Sequence, residues 1–186
     1  MRYVNMIFDE SDSADEIEII KFGLQMMISS VVGITVAVVI SLLLGELWQG
    51  VILLAVIIPL RQYAGGFHMR TRAGCAVLSL CIFVSAILLI KYVQVNLVIL
   101  ICLFLGTAIV IAYFAPVDNV ENELDCDEKT VYGNRARIVL AVEILAVMLL
   151  ILLHQYEWSY IIVVGLSVCA ALVLAGKVKN SLEEGC

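Results

Sequence analysis

The chain has 186 residues, 63% of them hydrophobic and 15% charged, with a net charge of −6 at pH 7, whereas an ordinary soluble domain carries roughly 25% charged and 45 to 50% apolar residues. This composition excludes water as the main solvent and predicts an all-α polytopic membrane protein. The acidic balance gives no polybasic anchor for anionic lipids, and no nucleic-acid partner is expected.

The first 23 residues form an acidic N-terminal segment containing DESDSADEIEI. Within it, residues 14–22 set Ile17, Ile20 and Phe22 among acids, a pattern that suits a short interfacial helix; a frayed tail is the bland alternative. No basic region followed by an apolar core and a cleavage site occurs here, so no removable signal peptide is expected.

A membrane span needs about 20 apolar residues to cross a hydrocarbon core of about 30 Å. Four uncharged runs meet that length: 24–44, 73–90, 92–114 and 158–176, of 21, 18, 23 and 19 residues. Two shorter segments are arguable, 47–63 and 138–153, the latter carrying Glu143 in its first half.

Charge bias decides the count, because short cytoplasmic loops accumulate Lys and Arg while acidic residues count for little. With six spans and both termini inside, ten of the basic residues are cytosolic and only Lys91 is outside. If 47–63 failed to cross, the same residues would divide eight against three at best. Six transmembrane helices are therefore expected, with the loops at 61–72 and 115–137 in the cytosol.

Six cysteines occur. Cys81, Cys102 and Cys169 fall inside spans and read as small packing residues, while Cys75, Cys126 and Cys186 face the cytosol, where a disulfide framework is not expected. Without a C-x-x-C pair, and with His68 and His154 as the two histidines, no metal site is expected. Local charge separates the candidate nucleophiles, since the reactive thiolate is favoured by cations and helix N-termini. Cys126 lies in ELDCDE, among four carboxylates. Cys75 follows Arg70 and Arg72; if Thr71 caps the third span, Cys75 falls in its first turn, beside unpaired amides and the positive end of the helix dipole.

Residues 61–75 read RQYAGGFHMRTRAGC, the densest polar cluster near any expected membrane boundary. His68 precedes Cys75 by seven residues, about 10 Å along a continuous helix at 1.5 Å per residue. A general base must come to about 3 Å of the proton it removes, so the chain ahead of Cys75 has to fold back. Gly65 and Gly66 supply the backbone freedom for that bend, including positive φ. In such a dyad His68 takes the thiol proton, Cys75 attacks a peptide carbonyl and amides at the start of the span hold the oxyanion. The bland reading of the same residues is a positive-inside loop in which Cys75 only packs.

At this loop the sequence resembles the accessory gene regulator B (AgrB) family of bacterial membrane peptidases, which process the precursors of cyclic quorum-sensing peptides. Arg61, Tyr63, Gly65, Gly66, His68 and Cys75 match its pattern in order and spacing. Ala115-Pro-Val-Asp118 is similar to the family's Ala-Pro-x-Asp segment, and Arg135 and Arg137 to its basic return. Two departures are visible: Met69 replaces the commoner alanine, and Asn119-Val-Glu-Asn-Glu123 stands where members often carry His and an Asn-Lys-Pro-like run.

The resemblance implies a cysteine endopeptidase that cleaves a short precursor on its C-terminal side and holds the peptide as a thioester on Cys75. An internal Cys or Ser of the precursor then captures it as a thiolactone or lactone, and water exclusion near the membrane favours cyclisation over hydrolysis. The implied partners are that precursor peptide, the lipid bilayer and a second copy in a homodimer; no cofactor is implied. His68 and Cys75 are the catalytic pair, with Arg61, Gly65, Gly66 and Arg70 binding substrate or structuring the loop. A third member that orients His68 is open among Asp118, Asn119, Gln62 and Glu143, with Asp118 in the matching motif; the bland reading of that motif is a helix-ending proline followed by an Asx turn. Glu143 within a span is costly as an anion and is expected to be protonated or paired with a basic loop residue. His154, at the external end of the fifth span, reads as interfacial.

Two other classes compete. A small transporter or exporter would bind a charged solute through Arg61, Arg70 and Glu143, but the chain shows no internal repeat and its short segments do not occupy corresponding halves. A non-catalytic membrane scaffold would leave Cys75 no more reactive towards thiol reagents than Cys126.

Overall fold

The computed structural model describes residues 14–67, 71–117 and 126–184. Its regular structure is six helices: α1 Ala14–Leu43, α2 Leu47–Ala64, α3 Arg72–Tyr92, α4 Leu97–Phe114, α5 Cys126–Leu152 and α6 Tyr156–Glu184. The protein is all-α and polytopic, as its composition predicts. Five segments are long and apolar enough to cross a membrane: Gly23–Leu43, Leu47–Ala64, Gly74–Tyr92, Leu97–Phe114 and Tyr156–Leu182. The remaining helix, α5, carries Arg135, Arg137 and Glu143 within its length, and these charges set it apart from the other five.

Residues 14–22 do not form a separate interfacial helix; they are the first turns of the 30-residue α1. No proline interrupts this stretch, and the lone Gly23 costs a helix only about 1 kcal/mol. At 1.5 Å per residue α1 is about 45 Å long, so its acidic start extends beyond a hydrocarbon core of about 30 Å. The uncharged run 92–114 is likewise not one helix. Tyr92 ends α3, and α4 begins only after Asn96, whose side chain accepts a hydrogen bond from the Ile99 amide at 2.9 Å.

The bundle is built around α6, which packs against α2, α3, α4 and α5. Eight consecutive residues, 159–166, are buried on it, so no face of that stretch is left for lipid, the signature of a central helix. Gly165 brings α6 close to α2: a Cβ there would lie 2.7 Å from the Val56 side chain. Lipid is as apolar as leucine, so close packing through small residues, rather than hydrophobic burial, holds such helices together. Large apolar side chains such as Val31, Ile109 and Leu145 are exposed on the outside of the bundle, where the bilayer meets them.

The two ends of the bundle differ. At one, α1 turns into α2 through Gly45 at φ 76, and Lys91 reaches across from α3 to donate to the Leu44 carbonyl at 2.7 Å and approach the Glu46 carboxylate at 3.6 Å. The α5–α6 turn lies at this end also, with His154 at φ 58 and its Nδ1 2.8 Å from the Tyr156 hydroxyl. The opposite end gathers the α2–α3 loop, the end of α4, the first turns of α5 and the last turns of α6.

Candidate functional site

α2 ends at Ala64, and the chain then turns through Gly65 at φ 69 and Gly66 at φ 124. Both conformations belong to glycine, since a Cβ meets the carbonyl oxygen there. The chain therefore turns at the two residues whose freedom the sequence pointed to. It is fixed from two sides. The Val117 amide donates to the Ala64 carbonyl at 3.0 Å and pairs Val117 with Gly65 in an isolated parallel bridge, so a side chain at Gly65 would strike the Val117 carbonyl oxygen. On the other side the Phe67 amide donates to the Leu172 carbonyl of α6 at 2.9 Å.

Arg61, in the last turn of α2, donates through Nη2 to the Phe67 carbonyl at 3.0 Å. Of the two roles the sequence leaves open for Arg61, structuring the loop is the one with a contact in the structure. Its Nη1 is buried without a hydrogen-bond partner among the described residues, as is Oε2 of Glu143. Tyr63 stacks at a tilt on Tyr132 with ring centroids 6.2 Å apart, and the Arg135 guanidinium lies 5.8 Å from the Tyr63 ring. These contacts tie the end of α2 to α5, a purpose for Tyr63 and Arg135 that spacing alone does not reveal.

Beyond the loop, Thr71 caps α3, with extended backbone and a side-chain oxygen that accepts from the Gly74 amide at 3.2 Å. The Cys75 amide donates to the Thr71 carbonyl at 3.0 Å, so Cys75 completes the first turn, at the positive end of the helix dipole. Its side chain is half-buried. Cys126 is the first residue of α5. His68, Arg70 and Asp118 lie outside the described residues.

Residues 75, 78 and 82 share one face of α3, being three and seven apart. Leu78 and Ile82 on that face line an apolar cavity of about 380 Å³ whose other walls are Phe67 and Val168, Ala171 and Ala175 of α6. A second cavity of about 600 Å³ lies against Phe67 and Ala175, bounded by Leu174, Val178, Lys179 and Leu182. Both are open grooves on the surface of the bundle with almost wholly apolar walls. Gly176, Leu172 and Lys179, which shape this end of α6, carry no mark in the sequence, where they close an apolar run.

The family model described as accessory gene regulator B matches residues 1–174 of the chain. An AgrB-like protein of Clostridium perfringens is 27% identical over 165 residues, covering 81% of this chain and 75% of its own length. Protein FsrB of Enterococcus faecalis is 28% identical over 116 residues, covering 60% of this chain and 47% of its own. No solved structure matches.

Proposed function

Because the chain belongs to the accessory gene regulator B family, which is involved in processing autoinducer peptide precursors, we propose that it is a membrane-embedded cysteine endopeptidase with His68 as base and Cys75 as nucleophile. His68 removes the thiol proton, and the sulfur attacks the carbonyl carbon of a peptide bond on the C-terminal side of the precursor. The tetrahedral oxyanion collapses, the C–N bond breaks, His68 returns the proton to the leaving amine, and the peptide remains as a thioester on Cys75. A Cys or Ser within the bound peptide then attacks the thioester, giving its proton to His68, and the C–S bond to Cys75 breaks, releasing a thiolactone or lactone and the Cys75 thiolate.

One observation carries this reading: the Gly65–Gly66 turn folds the chain back immediately ahead of a capped helix with Cys75 in its first turn. The first amides of a helix lack intrahelical partners. Thr71 takes the Gly74 amide, which leaves the Arg72 and Ala73 amides as the candidate donors to the oxyanion. The cavity along Leu78 and Ile82 gives apolar residues of the peptide a place beside Cys75. Asp118 is our candidate for orienting His68, because its neighbour Val117 is bonded to Ala64, tying the Ala115–Asp118 motif to the loop. Arg70 remains a candidate for substrate contact.

With α5 as the sixth span, both termini and the 61–75 loop lie on the cytosolic side of the bacterial membrane, together with ten of the eleven basic residues. A second copy of the chain is the expected partner in the bilayer, by family likeness. The test is co-expression with a short precursor peptide of the kind processed by the family: wild type releases a cyclic product, and Cys75→Ala and His68→Ala release none. Processing that survived Cys75→Ala would overturn the assignment, and a peptide thioester on Cys75 detected by mass spectrometry would support it.

A further inference from the structure

Phe67, the residue directly before His68, is held at each group it can offer. Its amide donates to the Leu172 carbonyl at 2.9 Å. Its carbonyl accepts from Arg61 Nη2 at 3.0 Å. Its ring faces the Lys179 ammonium, 5.7 Å from the centroid. Two of these three holds come from α6, more than 100 residues away in sequence.

The approach depends on Gly176. A Cβ built there would lie 2.8 Å from the Gly66 carbonyl carbon, 2.9 Å from the Phe67 nitrogen and 3.1 Å from Gly66 Cα. All three are backbone atoms, which cannot rotate aside as a flexible side chain would. The gap that Gly176 leaves in the α6 surface is the gap the loop occupies. Gly66 itself, at φ 124, has its own Cα face against the Leu172 carbonyl, 3.0 Å from a built Cβ. Two glycines, one in the loop and one in the helix, thus meet back to back and allow Phe67 its bond to Leu172.

We propose that the cytosolic end of α6 is the positioning element for the catalytic loop: Gly176 and the Leu172 carbonyl seat Phe67 and Lys179 packs on its ring, so that the chain enters the segment carrying His68 from a fixed point. This rests on the reading of His68 as the base. The general reason is geometric: a base displaced by about 1 Å can lose about a hundredfold in rate, and the flexible Gly65–Gly66 turn cannot fix its own direction. In the low-dielectric membrane boundary the Phe67–Leu172 and Arg61–Phe67 bonds are stronger than in water, so α6 supplies the rigidity that the glycines give up.

The experiment reads the thiol directly, using iodoacetamide on a variant whose other five cysteines are replaced by serine, in native membranes at pH 7. His68→Ala should slow alkylation of Cys75 about tenfold, because an unassisted thiol is only a few per cent thiolate at that pH. Gly176→Ala should slow it by a similar factor, and the double variant should be no slower than either single one, since both remove the same assistance. Gly106→Ala, on α4 where a Cβ meets nothing within 4 Å, should alkylate at the wild-type rate. If His68→Ala leaves the rate unchanged, the reading of His68 as base fails. If His68→Ala slows alkylation while Gly176→Ala does not, or if the two losses multiply, the seat on α6 is refuted and the base survives. Should Gly176→Ala fail to accumulate, Phe67→Leu and Lys179→Met replace it in the same cycle, with expected losses of about five- and twofold.

Discussion

The two rims of this bundle are made from similar pieces and do different work. Each has a glycine turn between consecutive helices, a basic residue reaching a backbone carbonyl and a polar side chain capping a helix, Asn96 on α4 at one rim and Thr71 on α3 at the other. At the rim with Gly45, Lys91 and His154 the contacts are mostly local, and the long-range one, Lys91 to Leu44 and Glu46, involves partly exposed side chains. At the rim with Gly65 and Gly66 the contacts are backbone to backbone between segments far apart in sequence, Ala64 with Val117 and Phe67 with Leu172. A rim that only turns the chain needs local caps. The proposed function would require the second rim to hold two reacting groups in register, and loops bolted to the bundle suit that demand.

The strongest test of this contrast is Gly65→Ala. At φ 69 an alanine is strained, its Cβ strikes the Val117 carbonyl oxygen, and residues forced into such regions cost about 1–3 kcal/mol each. Precursor processing should be lost and the thermal unfolding midpoint in detergent should fall. Gly45→Ala, at φ 76 with nothing near its Cβ, should lower stability by a smaller amount and leave processing intact. Equal loss of processing in the two variants would erase the distinction between the rims.

Arg61→Lys comes next in size. Lysine keeps the charge but not the planar fork that reaches the Phe67 carbonyl, and a hydrogen bond to a charged group is worth about 1.5–3 kcal/mol. Processing should fall at least tenfold, with the turnover rate dropping more than the apparent affinity for the precursor. A change confined to affinity would instead make Arg61 a substrate contact. The smallest effect belongs to Lys91→Met, which removes a partly exposed ion pair of the kind worth about 0–1 kcal/mol. The unfolding midpoint should move by a degree or so at most, and processing should stay at the wild-type level.

Some of this was legible without coordinates. Thr71 caps α3 and puts Cys75 in its first turn, as a threonine ahead of an apolar run containing Cys75 implies. The turn at Gly65 and Gly66 follows from reach alone, since seven helical residues are too long for a hydrogen bond between His68 and Cys75. Arg61 was recognisable as a residue of the loop, but which of its two roles the structure favours became visible only with the Phe67 carbonyl in front of it. The helix expected at the start of α1 is present, and it runs on into the first span because no breaker separates the two.

By itself, then, the sequence determined the solvent, the helical class, the approximate spans and the place of Cys75 in the first turn of α3, because hydropathy and capping act within a turn or two of chain. Only the tertiary structure decided what the loop rests on. Gly176 and Leu172 belong to an apolar run that reads as membrane span and nothing more, and Val117 is a valine among others. Their roles arise because α6 lies at the centre of the bundle and brings its last turns beneath a loop more than 100 residues earlier. A close backbone approach of that kind is a property of two segments together, and neither segment carries it alone.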